Sequence, residues 1–217
     1  MRMNFTFKTP RSVIHCAMAI ASVLVSPAAR SGAAEPPPAA AILQDLRSFR
    51  EMGTVLHIAA HPDDENTQLI TYLARGRGYR MGYLSITRGD GGQNEIGPEF
   101  DEKLGVARTQ ELMAGRRLDG GRQFFTRAID FGFSKTPEET LRFWDREQVL
   151  ADVVRVIRQF RPDVIVTRFP VPPGSGGHGH HTASAILAVD AGDDGVDLLS
   201  LLQDFARMLD AARPGNV

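Results

Sequence analysis

Short apolar runs alternate along the chain with segments whose apolar residues recur at helical spacing. Three apolar runs predict buried strands: 54–60, 79–87 and 163–167. Four segments with helical spacing predict helices: 42–49, 69–76, 101–118 and 149–160. Because strand, helix and strand follow one another, the pattern implies a parallel sheet with a right-handed crossover. The expected fold class is therefore α/β.

Three further elements are indicated by weaker local signals. Phe124 and Phe125 suggest another short strand. Thr136 and Pro137, followed by two acidic residues, form a strong helix start, because proline suits the first helical position. A last helix of the sheet domain is expected to begin near Thr182.

The first 34 residues have the three-part pattern of a secretory signal peptide. Residues 1–12 are basic and polar, residues 13–25 are apolar, and residues 26–34 are rich in small side chains. This apolar run is shorter than the roughly 20 residues that a membrane-spanning helix needs, which favours cleavage over a membrane anchor. We therefore predict an exported protein, periplasmic or secreted, that keeps no stable membrane span.

The only cysteine, Cys16, lies within the predicted signal peptide, so we expect no disulfide in the mature chain. His15 stands where a lipoprotein signal requires a small residue. Residues 35–40 resemble a spacer rich in proline and alanine. An α/β domain is predicted over residues 41–190, and a divergent C-terminal helix or tail over residues 191–217.

The charge distribution argues against nucleic acid as a partner. The chain has 25 basic and 26 acidic residues, and four of the basic ones lie in the predicted signal peptide, so the remainder is acidic. It also lacks the basic stripe, interleaved with aromatic residues, that is typical of nucleic-acid-binding proteins.

A histidine and three carboxylates directly follow the first predicted strand, in the segment His61-Pro62-Asp63-Asp64-Glu65. Side chains at the carboxyl ends of parallel strands face the crevice in which ligands bind. One of these acids could simply cap the next helix. However, adjacent carboxylates raise one another's pKa unless a cation lies between them. The cluster therefore favours a divalent metal site.

A glycine-rich loop, 87–95, follows the second strand and should lie beside the acidic cluster. Its glycines allow the backbone to approach a ligand closely, although an ordinary turn would account for them equally well. The chain contains no GxxxxGK[ST], so a phosphate loop is excluded. The loop 87–95 does not have the GxGxxG spacing either, so a nucleotide-binding domain is disfavoured.

Three of the six histidines, His178, His180 and His181, lie after the third strand. A histidine-rich tract can be a solvated loop or a surface metal trap. Here, however, it follows a strand of the same sheet and should face the acidic cluster. Three nitrogen and oxygen ligands with a fourth position left to water are typical of a catalytic zinc site, whereas structural zinc sites are closed, usually by cysteines.

The segment Ala60-His61-Pro62-Asp63-Asp64-Glu65 and the spacing His178-x-x-His181 together resemble the zinc-dependent N-acetylglucosaminyl deacetylases, the PIG-L or LmbE-like family. The resemblance spans about residues 50–190. It implies a Rossmann-like three-layer sandwich with a mainly parallel sheet, shortened here at its C-terminal end. It also implies a small-molecule sugar or glycoconjugate as substrate.

Carried over residue by residue, the resemblance implies that His61, Asp64 and His181 bind the metal. It implies that Asp63 is the general base and that His178 assists at the oxyanion or the leaving amine. Four further residues are candidates for orienting these groups or contacting the substrate: His180, Arg108, Arg88 and Glu65. The chemistry agrees, because Zn²⁺ lowers the pKa of a bound water to about 7 and a carboxylate can then accept its proton.

His180 departs from the family pattern. Family members often have an aspartate directly before the last metal-binding histidine, where it orients the other histidine, so this role is either changed or lost here. The expected function is zinc-dependent removal of acetyl from an N-acetylated sugar, although Fe²⁺ or Co²⁺ also suits the donor set. The alternative is a non-catalytic metal- or carbohydrate-binding remnant. Retention of the three ligands and the base favours the enzyme.

Overall fold

The computed structural model describes residues 38–171 and 177–192. The predicted signal peptide with Cys16, the first half of the spacer and the C-terminal tail from residue 193 lie outside the described residues, as does the segment 172–176. Among the residues that are described, no helix combines the length and the apolar character needed to cross a membrane.

In the described part of the chain, four parallel strands form the central sheet. Their bounds are β1 Thr54–Ala59, β2 Arg80–Ser85, β3 Arg122–Phe125 and β4 Val164–Thr167. The order across the sheet is β3-β2-β1-β4, and every pairing is parallel. All six residues of β1 are buried, as expected for a central strand that is covered on both faces. The predicted α/β class with a mainly parallel sheet is confirmed.

Within residues 38–171 and 177–192, six helices accompany the sheet. Their bounds are α1 Ala39–Ser48, α2 Thr67–Thr71, α3 Glu102–Asp119, α4 Pro137–Phe143, α5 Arg146–Phe160 and α6 Gly179–Gly192. A π-helical turn, Tyr72–Gly76, continues α2. Helix α1 begins inside the predicted spacer, and α6 starts three residues before Thr182 and ends two residues beyond the predicted domain limit. His180 and His181 therefore lie in the first turn of α6.

The helices cover both faces of the sheet and so form three layers. On one face, Leu56 and Ile58 of β1 belong to an apolar cluster that also contains residues of α5 and α6. On the other face, Val55 and Ala59 of the same strand belong to a cluster with residues of α2 and α3. This alternation follows from the two-residue period of a strand, and it brings α6 against the carboxyl end of β1.

Helix α4 supports the start of α6. Thr136 caps α4 as the sequence predicts, because its hydroxyl accepts a hydrogen bond from the backbone N–H of Glu139 at 3.3 Å. The backbone N–H of Gly179 donates to the carbonyl of Ser134 at 2.9 Å. A methyl group at Gly179 would lie 2.7 Å from the Thr140 hydroxyl oxygen, so only glycine allows this approach. The contact fixes where the first turn of α6 lies.

Candidate metal centre

The loops after β1, β2 and β4 converge on one pocket of about 510 Å³ at the carboxyl edge of the sheet. Predicted site residues line much of it: His61, Asp63, Asp64, Arg108, His178 and His181. The glycine-rich loop after β2 contributes Gly89, Gly91, Gly92 and Gln93. As expected for a parallel sheet, segments far apart in sequence meet at this edge.

The three predicted metal ligands lie together. The Nδ1 atom of His61 is 3.1 Å from Oδ2 of Asp64, and Nε2 of His181 is 3.6 Å from Oδ1 of the same carboxylate. One donor atom from each of the three residues lies within 4.8 Å of the others. Two ligands of a tetrahedral zinc ion at 2.0–2.1 Å are about 3.3 Å apart, so the observed separations suit a metal ion.

The three consecutive acids have different side-chain partners. Asp63 pairs with Arg108 at 3.4 Å, and Asp64 lies between histidines. Glu65 lies 3.5 Å from Arg116, which is itself buried. The mutual repulsion expected of adjacent carboxylates is therefore relieved by separate partners, and only one of the three carboxylates belongs to the candidate metal cluster.

The backbone around His61 is held by several hydrogen bonds. Its N–H donates to Oδ2 of Asp64 at 2.7 Å, and its carbonyl accepts from the hydroxyl of buried Tyr83 at 2.6 Å. Thr87, which opens the glycine-rich loop, donates from its hydroxyl to the carbonyl of Ala60 at 3.1 Å. These bonds connect the loops after β1 and β2, so the candidate ligands are positioned by a rigid part of the fold.

Electrostatics within the cluster favour a charged carboxylate. Burial acts to raise the pKa of Asp64, but hydrogen bonding to His61 and the charges of His61 and His181 outweigh it and lower that pKa. Burial acts to lower the pKa of His61, but the hydrogen bond and charge of Asp64 outweigh it and raise that pKa. A negatively charged oxygen ligand beside imidazole nitrogens is the donor set of a divalent metal site.

His178 and His180 occupy different environments. The backbone N–H of His180 donates to Nδ1 of His178 at 3.2 Å. Burial lowers the pKa of His178, and the charges of His61 and His181 lower it further, while a hydrogen bond to the Gly132 backbone opposes the shift. His180 is fully buried, and burial together with the charge of His61 lowers its pKa to about 3.

Two of the predicted substrate-contact or orienting residues point away from the pocket. Arg88 donates to the hydroxyl of Thr109 at 3.1 Å, and its guanidinium lies over the ring of Phe125. Glu65 turns towards Arg116, and burial raises its pKa. Neither residue is part of the pocket lining. Both side chains instead contact residues of α3, and Arg88 also contacts β3.

The structure adds pocket residues that the sequence pattern did not single out. Asp130 is buried and lines the pocket, and burial raises its pKa. Phe133 lines the pocket and lies 4.9 Å from the ring of His178. Phe169 is not part of the lining, but its ring stacks on that of the lining residue His181 at 3.9 Å. Asp130 follows β3, and this position at the carboxyl edge of the sheet is the signal that could have identified it.

Comparisons with known proteins identify the family of this chain. The PIG-L family, described as GlcNAc-PI de-N-acetylase, matches residues 56–191. Two relatives are named 1D-myo-inositol 2-acetamido-2-deoxy-alpha-D-glucopyranoside deacetylase. The protein from Streptomyces scabiei is 30% identical over 58% of this chain and 43% of its own length. The protein from Geodermatophilus obscurus is 32% identical over 64% and 54%. The chain thus spans about half the length of the curated relatives that it matches.

Among solved structures, the N,N'-diacetylchitobiose deacetylase from Pyrococcus horikoshii is similar to this chain, with a TM-score of 0.49 and 22% sequence identity. The similarity covers 68% of this chain and 52% of that protein.

Proposed function

The chain belongs to the PIG-L family of GlcNAc-PI de-N-acetylases, and we therefore propose that it removes the acetyl group from an N-acetylated sugar or glycoconjugate. The proposed reaction is hydrolysis of the acetamide with the aid of a divalent metal ion, for which zinc is our choice. The names of the related deacetylases from Streptomyces scabiei and Geodermatophilus obscurus support a substrate of the N-acetylglucosamine type.

One observation carries the proposal: Asp63 and His178 line the same pocket as His61, Asp64 and His181. The last three residues would hold the metal, since their donor atoms have suitable separations and zinc accepts imidazole nitrogens and carboxylate oxygens as ligands. A zinc ion held by these residues would supply Lewis acidity for a water and an amide carbonyl.

Asp63 is the proposed general base. Its side chain is 67% exposed and lines the pocket, so it can accept a proton from a water inside that pocket. Its carboxylate is not among the three groups that would hold the metal. Arg108, whose side chain is 19% exposed, lies 3.4 Å away and would restrict the carboxylate to the pocket side of the loop.

His178 is the proposed donor to the developing oxyanion or to the leaving amine. Because Nδ1 of His178 accepts a hydrogen bond from the backbone of His180, the proton of the neutral imidazole belongs on Nε2. An N–H group at Nε2 can stabilise negative charge on the amide oxygen. As a general acid, His178 would act in its protonated imidazolium form, which passes one proton to the departing nitrogen and returns to the neutral imidazole.

The size and lining of the pocket support a sugar substrate, and the N-terminal sequence supports a location outside the cytoplasm. A volume of about 510 Å³ is in the range of small-molecule sites. Charged groups occupy one part of the pocket, and Phe133 provides an apolar surface on which a sugar ring can pack. The predicted signal peptide supports export, so we propose that the substrate is encountered in the periplasm or outside the cell.

The test is release of acetate by the zinc-reconstituted chain. Suitable substrates are N-acetylglucosamine, N,N'-diacetylchitobiose and N-acetylglucosaminyl-inositol, and zinc content is measured in the same samples. Release by the wild type that is lost in a zinc-loaded Asp63→Asn variant would support the proposal. Bound zinc without acetate release from any of these substrates would instead favour a metal- or carbohydrate-binding role.

A further inference from the structure

His180 makes an unusual set of contacts behind the candidate metal centre. Its side chain is fully buried, and its Nδ1 atom lies 3.0 Å from Nε2 of His61. The rings of Phe131 and Trp144 pack beside it, with ring centroids 4.4 Å and 4.7 Å away. Its Nε2 atom has no hydrogen-bond partner among the described residues. Hydrogen bonding by the ring of His180 therefore takes place on the Nδ1 side.

The two nitrogens of His61 face in different directions. Nδ1 lies 3.1 Å from the carboxylate of Asp64, on the side of the candidate metal cluster. Nε2 faces His180. A neutral histidine that binds a metal through Nδ1 must carry its proton on Nε2. That N–H needs an acceptor, and the atom within hydrogen-bond distance is Nδ1 of His180.

We propose that His180 is a positioning residue for metal binding: its Nδ1 accepts the Nε2–H of His61 and thereby fixes Nδ1 of His61 as the metal-binding atom. The inference rests on the proposed function only for the presence of a metal. The resemblance noted in the sequence implies that an aspartate at this position orients a different histidine. In this chain, the orienting contact is made by an imidazole and is directed at His61 instead.

A role for His180 as a direct ligand fits the geometry less well. His61, His178 and His180 do form a second possible group of three ligands. However, His180 is fully buried and is not part of the pocket lining, whereas His61, Asp64 and His181 all line the pocket. A catalytic metal needs an open position that water and substrate can reach, and the group containing Asp64 provides it.

Asp130 is a weaker competitor for the same nitrogen. Its Oδ1 atom lies 3.5 Å from Nδ1 of His180, compared with 3.0 Å for Nε2 of His61. Since one ring nitrogen cannot accept from His61 and donate to Asp130 at once, the two contacts are mutually exclusive. The shorter distance favours the contact with His61.

Two amide variants separate the ring nitrogens of His180. The side chain of Asn places a polar atom close to the position of Nδ1, whereas the longer side chain of Gln places its polar atoms close to Nε2. Both are neutral, and they differ by a single methylene group. We expect His180→Asn to keep metal affinity near that of the wild type and His180→Gln to weaken it by roughly 10–100-fold, the usual effect of losing an orienting partner.

The readouts are the zinc dissociation constant, measured by competition with a chromophoric chelator, and the visible absorption spectrum of the Co²⁺-substituted protein. Far-ultraviolet circular dichroism and thermal unfolding show that each variant is folded. Neither metal readout requires turnover. A wild-type protein that binds metal but releases no acetate would therefore contradict the proposed function and leave this inference unaffected.

Equal metal affinity in the two variants would overturn the inference, because a general packing role does not distinguish Nδ1 from Nε2. A reversed order, with Gln retaining affinity and Asn losing it, would also overturn it. Binding of two zinc equivalents by the wild type, with the second lost in both variants, would make His180 a ligand and would overturn the positioning role.

Discussion

The guanidinium of Arg108 lies 3.4 Å from the carboxylate of Asp63. The same guanidinium lies 3.8 Å from Glu111, whose side chain is 67% exposed, the same fraction as that of Asp63. Of these two carboxylates, only that of Asp63 lines the pocket. We expect Asp63→Asn to lower kcat for acetate release by about 100–10,000-fold, because the variant cannot accept a proton.

Glu111→Gln is the matched control, since it removes one negative charge beside the same arginine from an equally exposed position. We expect initial rates of acetate release close to those of the wild type. Similar losses in both variants would show that charge around Arg108, rather than proton acceptance by Asp63, limits the reaction.

Asp64 differs from Asp63 in its expected effect on metal binding. Its side chain is 11% exposed and both of its oxygens face histidine nitrogens. Asp64→Asn keeps the shape but loses the charged ligand, so we expect zinc affinity to fall by more than the roughly 10–100-fold that follows loss of an orienting partner. Asp63→Asn should retain zinc. A chelator competition assay compares the two variants, and retention of zinc by Asp64→Asn alone would reverse the assigned roles.

The sequence predicted the sheet and the convergence of the loops because both depend on regular patterns. The apolar runs identified β1, β2 and β4, and the rule that ligands bind at the carboxyl ends of parallel strands brought His61 and His181 together. The Arg108–Glu111 pair also follows from the spacing of a helix, and it is present at 3.8 Å.

Side-chain direction within the loops could not be predicted in this way. Asp63, Asp64 and Glu65 are consecutive, yet each faces a different partner, and Arg116 lies outside any motif. The direction of His180 depends on α6 starting at Gly179, which is set by packing against α4 rather than by a signal near Thr182. Tertiary contacts of this kind have no local period in the sequence.

Gly91 is expected to be intolerant of a side chain. An added methyl group would lie 2.7 Å from the carbonyl oxygen of Asp130 and would also meet the backbone nitrogen of Gly132. Because these atoms are backbone, the loop itself has to move, at a cost of about 1–3 kcal/mol in stability. Asp130 and Gly132 line the pocket, so Gly91→Ala should also reduce acetate release.

Gly115→Ala is the control for this substitution. Gly115 lies inside α3, and no neighbouring atom of the described chain lies within 4 Å of the added methyl group. Alanine should stabilise the helix by about 0.5–1 kcal/mol and leave acetate release unchanged. Urea unfolding followed by the fluorescence of Trp144, the only tryptophan, measures both variants. Equal stability of the two variants would contradict the close approach at Gly91.

The buried histidine of β1, His57, predicts a pH dependence of stability. Its Nδ1 lies 3.0 Å from the carbonyl of Val166, and its Nε2 lies 3.3 Å from the backbone N–H of Asn66. Nδ1 must therefore carry the proton, and Nε2 must accept. Burial lowers the pKa of His57, as do the charges of Arg168 and Arg116, whereas the hydrogen bond to Val166 and the charge of Asp64 act in the opposite direction.

Because the folded-state pKa lies below the unfolded value of about 6.5, the unfolded chain binds the proton first as pH falls. The neutral, buried His57 therefore contributes stability that is present above pH 6.5 and is lost as pH falls towards the folded-state pKa. This contribution changes by at most about 1.4 kcal/mol per pH unit.

His57→Asn keeps a donor for Val166, loses the acceptor for Asn66 and cannot titrate. We expect the variant to be about 1 kcal/mol less stable than the wild type at pH 7.5, and this difference to shrink at pH 5.5. Urea unfolding of both proteins without added metal checks this expectation, and an unchanged difference at the two pH values would mean that His57 does not titrate on unfolding.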